Sequence, residues 1–263
     1  MMDLELRGHA AIVQGASAGI GLGIARALAQ EGVDVLLVAR TPDKLRAAAD
    51  ELRALGTARV DWRAMDSADV DHQHHLVEHI MERYGRLDIV VANSGGPKPG
   101  AFNALLPEDW RAAAELLVVG PVALLQAALP RLRESPAPRF LIVTSISTRQ
   151  PVEGLTLSNV FRPGIVGLVK TLASELGNSG LRIHSLAPGL TETARLDGLM
   201  AKRAAARGVD EATVRADAIA GIPAGRLGRA TDIGALAAFL ASPLADYLTG
   251  QNWLVDGGMV KSL

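Results

Sequence analysis

The chain has no cysteine among its 263 residues. That absence excludes disulfides, thiolate metal sites and thiol nucleophiles, and it fits a cytoplasmic protein. Aromatic residues are only 3% of the chain and include just two tyrosines, so phenolic proton donors are scarce. Neither sign of charge is in excess: 27 Lys and Arg stand against 28 Asp and Glu, a formal net charge of -1. With no tail or face rich in Lys and Arg, nucleic acid is not an expected partner. The N-terminal residues lack the basic-then-apolar pattern of a signal peptide. The most membrane-like run, 112–130, is broken by Glu115, Gly120-Pro121 and Gln126, so it reads as a buried or interface helix, and no membrane association is expected. His72, His74, His75 and His79 sit in a helical stretch among acids. Only His75 and His79 have i, i+4 spacing and no third ligand is evident, so a solvated face is expected and no metal.

What is present is alternation. Strand-like apolar runs at 9–14, 33–39, 58–64, 87–92, 139–144, 181–186 and 252–255 are separated by helical stretches. One helix starts at Thr41-Pro42, one spans about 69–84, one runs from Pro107 to about 133, and one covers about 162–176. The run 87–92 is nearly all apolar, as a central parallel strand covered on both faces requires. This alternation predicts an α/β fold: a doubly wound, Rossmann-type parallel sheet with right-handed crossovers, in a single domain over 1–263. An Ala- and Arg-rich stretch, 191–226, predicts two short helices. Ligands bind beyond the carboxyl ends of the strands in such folds, so this stretch is placed to form a substrate lid.

Gly15-Ala-Ser17-Ala-Gly19-Ile20-Gly21 lies between the first strand and a helix marked by Ile20, Ile24 and Leu28. Strand, glycine turn and helix in that order leave free backbone N–H groups at the helix start. Those groups and the positive end of the helix dipole attract a phosphate. The glycines let the backbone approach a pyrophosphate, so a dinucleotide is expected. At the end of the second strand, Ala39 stands where NAD-preferring sites carry an acid, and Arg40 follows it. A guanidinium can pair with a 2′-phosphate through two hydrogen bonds, which favours NADP(H) over NAD(H). The alternative is an Arg40 turned to solvent beside the helix start.

From about residue 6 to 259 the order of segments resembles the short-chain dehydrogenase/reductase family, and within it bacterial β-ketoacyl-ACP-reductase-like proteins. Gly15, Gly19 and Gly21 match the family's phosphate loop. The resemblance implies an adenine contact for Asp66 and a cofactor wall in Asn93-Ser94-Gly95. It implies that Pro188-Gly189 with Thr193 holds the nicotinamide carboxamide. The segments 167–176 and 247–258 are similar to the catalytic helix and the C-terminal strand. It also implies homodimers or tetramers through paired helices, here the Leu168, Leu172 and Leu176 stripe and the helix from Pro107.

In this family a Tyr and a Lys one turn apart, with a Ser 13 residues before the Tyr, carry the chemistry. Carried over, the Ser is Ser145, the Tyr position holds Ser158 and the Lys position holds Arg162. The Asn that anchors a relay water falls at Leu117, and Gln14 replaces the Thr before the first glycine. A serine is far too weak an acid to replace a tuned tyrosine, and an arginine does not relay protons. Arg162 can still bind ribose hydroxyls and face a developing oxyanion. The resemblance implies an NADP(H)-dependent oxidoreductase of a small carbonyl or alcohol substrate with a non-standard site. Two other readings stay open: a catalytically inactive NADP(H)-binding sensor or assembly protein, and a shifted site using Lys98 or a lid residue on a different substrate. Pro163 predicts that the catalytic-type helix begins within a turn of it or bends there.

Overall fold

The computed structural model describes residues 3–262. Seven strands form one parallel sheet in the order β3-β2-β1-β4-β5-β6-β7. They are β1 (Ala10–Gln14), β2 (Asp34–Ala39), β3 (Val60–Ala64), β4 (Ile89–Ala92), β5 (Arg139–Val143), β6 (Arg182–Pro188) and β7 (Gln251–Val255). The chain leaves β1 toward β2 and β3, then returns to pair β4 on the other side of β1. The strand order reverses there, and a crevice opens at the carboxyl ends of β1 and β4.

Helices cover both faces. On one lie α1 (Gly19–Gln30), α2 (Pro42–Arg53) and α9 (Ala230–Ala241), whose Ile24, Leu28, Leu45, Leu52, Ile233 and Leu240 close over Ala11, Val13, Val35 and Leu37. On the other lie α3 (Gln73–Tyr84), α5 (Gly120–Leu132) and α6 (Thr156–Leu176), packed on Ala10, Ile12, Val90 and Phe140. Alternate residues of one strand therefore enter opposite cores, which is why the central strands read as unbroken apolar runs. Helices α7 (Ala194–Arg207) and α8 (Glu211–Ala220) are the two helices expected within 191–226 and own a small core of Leu196, Met200, Val214 and Ile222.

Helix α9 escaped the sequence reading. Its composition is apolar nearly all round, so periodicity does not mark it. What seats it is small size: a Cβ on Gly23 would lie 2.6 Å from Ala230, and one on Gly234 would lie 2.5 Å from the Gly23 carbonyl. Helices α1 and α9 thus touch backbone to backbone.

One expectation about helices needs correction. Helix α6 starts at Thr156, not near Arg162, and runs unbroken to Leu176 with Pro163 inside it. Pro163 cannot donate to the Asn159 carbonyl. The turn survives because Leu157, Ile165 and Val169 are buried around it. Asn159 also grips the preceding loop, accepting from Val152 N and donating to Val152 O, both at 2.9 Å. The long helix expected from Pro107 is present to Leu132: α4 (Pro107–Ala114) passes through a wide π turn, Glu115–Val119, into α5. Pro121 has no N–H for the Leu117 carbonyl, and Gly120 N–H reaches back five residues to Glu115 O. The whole Pro107–Leu132 helix is long and apolar enough to pass for a membrane span by composition. In the fold its buried face, Leu124, Leu125, Ala128 and Leu132, lies on the sheet.

Below the sheet, Asp88 is sealed at 1% exposure. Its carboxylate accepts from Ala10 N (2.8 Å), Arg86 Nε (2.7 Å), Arg86 Nη2 (2.8 Å) and Ser135 Oγ (2.5 Å). Burial pushes this carboxyl up, but the bonds from Arg86, Ser135 and Ala10 outweigh it and hold it below the usual carboxylate range. Because the folded-state pKa is depressed, the stability it contributes is present above the unfolded pKa and is lost as pH falls through the folded one. Asp88→Asn is expected to cost about 2 kcal/mol at neutral pH, and the deficit should shrink in acid. Urea unfolding at pH 7 and pH 3 checks this.

Candidate functional site

A cavity of about 330 Å³ opens at the carboxyl ends of β1, β4, β5 and β6. Its floor is the glycine loop. Gly15 and Gly19 have positive φ, 61° and 57°, which a side chain resists. A Cβ on Gly15 would lie 2.5 Å from Asn93 Nδ2, and one on Gly21 would collide with the Gly15 carbonyl. Asn93 holds this arrangement by donating from Nδ2 to Gln14 O at 3.2 Å. Gln14 is buried and donates to Gln73 Oε1 at 3.0 Å, which ties the loop to α3. The N-cap of α1 is Ala18, so no side chain satisfies the N–H groups of the first turn. The result is a cradle of bare backbone, closed to side chains and open to an anion.

The fold brings Gly15, Gly19, Ile20, Gly21, Asn93, Ser94, Gly95, Ser145, Ser158, Arg162, Pro188, Gly189 and Thr193 together on this one cavity. Ser17, Arg40 and Asp66 do not line it; Arg40 and Asp66 are exposed at the ends of β2 and β3. Thr193 sits against the glycine loop, where a Cβ on Gly19 would lie 3.0 Å from its Cγ2. Its Oγ1 also caps α7, accepting from Leu196 N at 3.3 Å.

At the far wall a chain of hydroxyls leads to a cation. Ser145 Oγ accepts from Ser147 N at 3.2 Å, and Ser147 Oγ shares a bond with Ser158 Oγ at 3.1 Å. Arg162 Nε donates to Ser158 Oγ at 3.1 Å and Nη1 to Val143 O at 3.0 Å. Arg162 is 8% exposed and has no acidic partner among the described residues. Burial, with the charge of Arg195 adding to it, lowers its pKa to about 10, so it remains a cation at neutral pH. The Ser145 segment is braced from behind. Thr144 Oγ1 meets Ser185 Oγ at 2.6 Å, Ser185 donates to Asn252 Oδ1 at 2.7 Å, and Asn252 Nδ2 donates to Thr148 Oγ1 at 2.9 Å. Ser147, in the turn after β5, and Ser185 and Asn252, in β6 and β7, carry no periodic signal that marks them in the sequence.

Among the described residues, no Asp, Glu, His, Lys or Tyr lines the cavity. The candidates for a displaced acid are accounted for elsewhere. Tyr84 Oη donates to Val35 O at 3.2 Å, and burial pushes its pKa well above the ordinary phenol value. Tyr247 is fully exposed. Lys98 is ion-paired to Asp109 at 2.8 Å and faces outward. His184 accepts from Trp253 Nε1 at 3.1 Å, and burial lowers its pKa to about 4, which keeps it neutral. His79 turns to Asp61 Oδ2 at 3.2 Å rather than joining His75, while His74, His75 and Glu78 lie close together on the exposed face of α3.

Sheet order, glycine cradle and cavity define a Rossmann-type oxidoreductase. The chain belongs to the short-chain dehydrogenase/reductase family. The family profile described as Enoyl-(Acyl carrier protein) reductase matches residues 15–260. The chain is 28% identical to the 3-oxoacyl-[acyl-carrier-protein] reductase FabG of Thermotoga maritima, over 98% of this chain and 100% of that protein. It is 32% identical to Oxidoreductase UcpA of Salmonella typhimurium, over 97% and 95% of the two chains. The crystal structure of L-sorbose reductase from Gluconobacter frateurii, complexed with NADPH and L-sorbose, superposes with a TM-score of 0.93 at 31% identity, covering 100% of both chains.

Proposed function

We propose that the cavity binds NADP(H) and that the chain works as an NADP(H)-dependent oxidoreductase on a small carbonyl or alcohol substrate, with Ser145, Ser158 and Arg162 at the reaction centre. The observation that carries this reading is that the side-chain-free cradle of Gly15, Gly19 and Gly21 opens into the same cavity as those three residues. The uncapped start of α1 suits the pyrophosphate, Thr193 and Pro188-Gly189 suit the nicotinamide end, and exposed Arg40 and Asp66 suit the adenosine end. The NADPH held by the sorbose reductase supports the same choice of cofactor.

When bound, the nicotinamide supplies hydride chemistry. The chain's residues would then act on the carbonyl oxygen. Ser145 and Ser158 donate hydrogen bonds to it, and Arg162 faces the negative charge that grows there. No lining side chain delivers a proton near neutral pH, so water supplies it. Losing a general acid of this kind costs about a hundredfold to ten-thousandfold in rate. That same lack favours a second reading, a binding protein that senses NADP(H) without turnover.

Nicotinamide fluorescence titration with NADPH and NADH tests the cofactor assignment: micromolar binding with NADPH preferred is expected, and binding of neither ends the enzyme reading. Binding should also be nearly constant from about pH 7 to 9, since no lining group among the described residues titrates there. A sigmoid centred near neutrality would show that a hidden titrating group had been missed. We further propose a cytoplasmic homo-oligomer. Leu168, Leu172 and Leu176 are partly buried on the sheet core, whereas Val160 on α6 and Val119 before α5 stay exposed for a partner copy. Sedimentation as a 27.6 kDa monomer would refute the oligomer.

A further inference from the structure

The charge around the cavity is all of one sign. Arg162 reaches it from α6 and Arg195 from the first turn of the lid helix α7, while no carboxylate among the described residues lines it. Arg195 donates from Nη1 to Gly96 O at 3.1 Å and from Nη2 to Pro97 O at 3.3 Å. These bonds tie the lid to the loop after β4 and use two of the five N–H donors of a guanidinium. Neither arginine has an acidic partner among the described residues. Buried Arg139 and neighbouring Arg182, by contrast, share Asp246. A cation held out of water without a counter-charge is costly. Arg162 bears that cost in the free protein, and its lowered pKa is the sign of it.

The dinucleotide reading already has donors for its phosphates in the α1 amides and, at the adenosine end, in Arg40. The remaining positive charge faces a space walled by Val152, Leu155, Leu190, Leu196 and Leu199. An apolar wall with a guanidinium at its rim suits a short carbon chain that ends in an anion.

We propose that the substrate of this site carries a carboxylate or phosphate group beside its carbonyl or alcohol, and that Arg195, delivered by the lid, is the residue that selects it. The planar fork of Arg195 takes the anion through paired hydrogen bonds. Arg162, one step deeper, adds charge and stays with the reacting oxygen. The anion in turn supplies the counter-charge that the cavity lacks, so substrate and lid stabilise each other. This rests on the dinucleotide reading for the position of the reacting carbon, but not for the anion site itself.

The test uses the full chain saturated with NADPH, with 2-oxobutyrate, 4-oxopentanoate, methyl 4-oxopentanoate and inorganic phosphate as probes in calorimetry and thermal shift. At least one oxo acid should bind about tenfold or more tightly than the ester, as expected for a hydrogen-bonded ion pair. Arg195→Met should remove that preference while leaving NADPH affinity within about twofold, and Arg195→Lys should keep part of it. Phosphate that competes with the acid marks a general anion site. Phosphate that binds without competing, or not at all, narrows the site to carboxylates. Equal affinity for acid and ester, no binding by any anion, or an unchanged preference in Arg195→Met overturns the proposal. If NADPH itself fails to bind, the cofactor reading fails separately. The anion site then stands only if the oxo acids raise the melting temperature of the free wild type and not of Arg195→Met.

Discussion

Gly21→Ala is expected to bind NADPH at least about a hundredfold more weakly than the wild type. The added Cβ has nowhere to go: it runs into the carbonyl of Gly15 and lies 2.8 Å from Asn93 Nδ2. The Gly15 carbonyl is backbone and the Asn93 amide is held by its bond to Gln14 O, so the loop itself must shift. Forcing one extra carbon into a closed space costs about 1 to 3 kcal/mol. The shift also misaligns the N–H groups that face the phosphates, and each further 1.4 kcal/mol is about another tenfold. Gly164→Ala is the control. Its Cβ meets open space within helix α6, so NADPH affinity should not change and stability should rise by up to about 1 kcal/mol. Fluorescence titration of both variants decides the matter. A Gly21→Ala protein that binds as tightly as wild type would remove the glycine cradle from the proposed site.

The double substitution Ser158→Tyr with Arg162→Lys is expected to raise NADPH-dependent reduction of simple ketones by about a hundredfold to ten-thousandfold. Ser145 is already present and braced through Thr144, Ser185, Asn252 and Thr148. Ser158 lines the cavity, so a phenol at that position enters the space where a substrate oxygen would lie. A lysine one turn on gives the phenol the cationic neighbour of the family's Tyr and Lys pair, which lowers its pKa. The gain should come with a new pH dependence, because a titrating acid now limits the rate. Stopped-flow decay of NADPH absorbance across pH reads both. A double variant that binds NADPH and reduces nothing would favour the non-catalytic reading.

The two outcomes interlock. Gly21 reports on whether a dinucleotide is held at all, and the Ser158–Arg162 pair on what happens after it is held. An inert wild type with intact NADPH binding and a responsive double variant would describe a site whose positioning survives and whose proton donor has gone.

Most of the architecture was legible in the residues. The inner strands β1, β2, β4 and β5 are marked by apolar runs, because a parallel strand covered on both faces has no polar side to blur it, whereas the edge strands β3 and β7 carry polar, partly exposed residues. The glycine loop was equally plain, since its spacing depends on local backbone geometry alone. Other features were hidden. Helix α9 is apolar all round and is recognised only by the backbone contact of Gly23 with Ala230. The start of α6 was misplaced because Pro163 reads as a boundary, whereas burial of Leu157 and Ile165 and the grip of Asn159 on Val152 carry the helix through it.

By itself, the sequence determined the doubly wound sheet, the glycine loop and the spacing of Ser145, Ser158 and Arg162. Each of these follows from residues close together in the chain or from a fixed spacing. Only the tertiary structure decided that Lys98 is spent on Asp109, that Tyr84 is bound to Val35 O, and that Arg195 crosses from the lid to Gly96 and Pro97. Those are contacts between residues up to 99 positions apart. No local pattern encodes them, because the partner and the burial that give each charge its meaning exist only once the strands have been brought side by side.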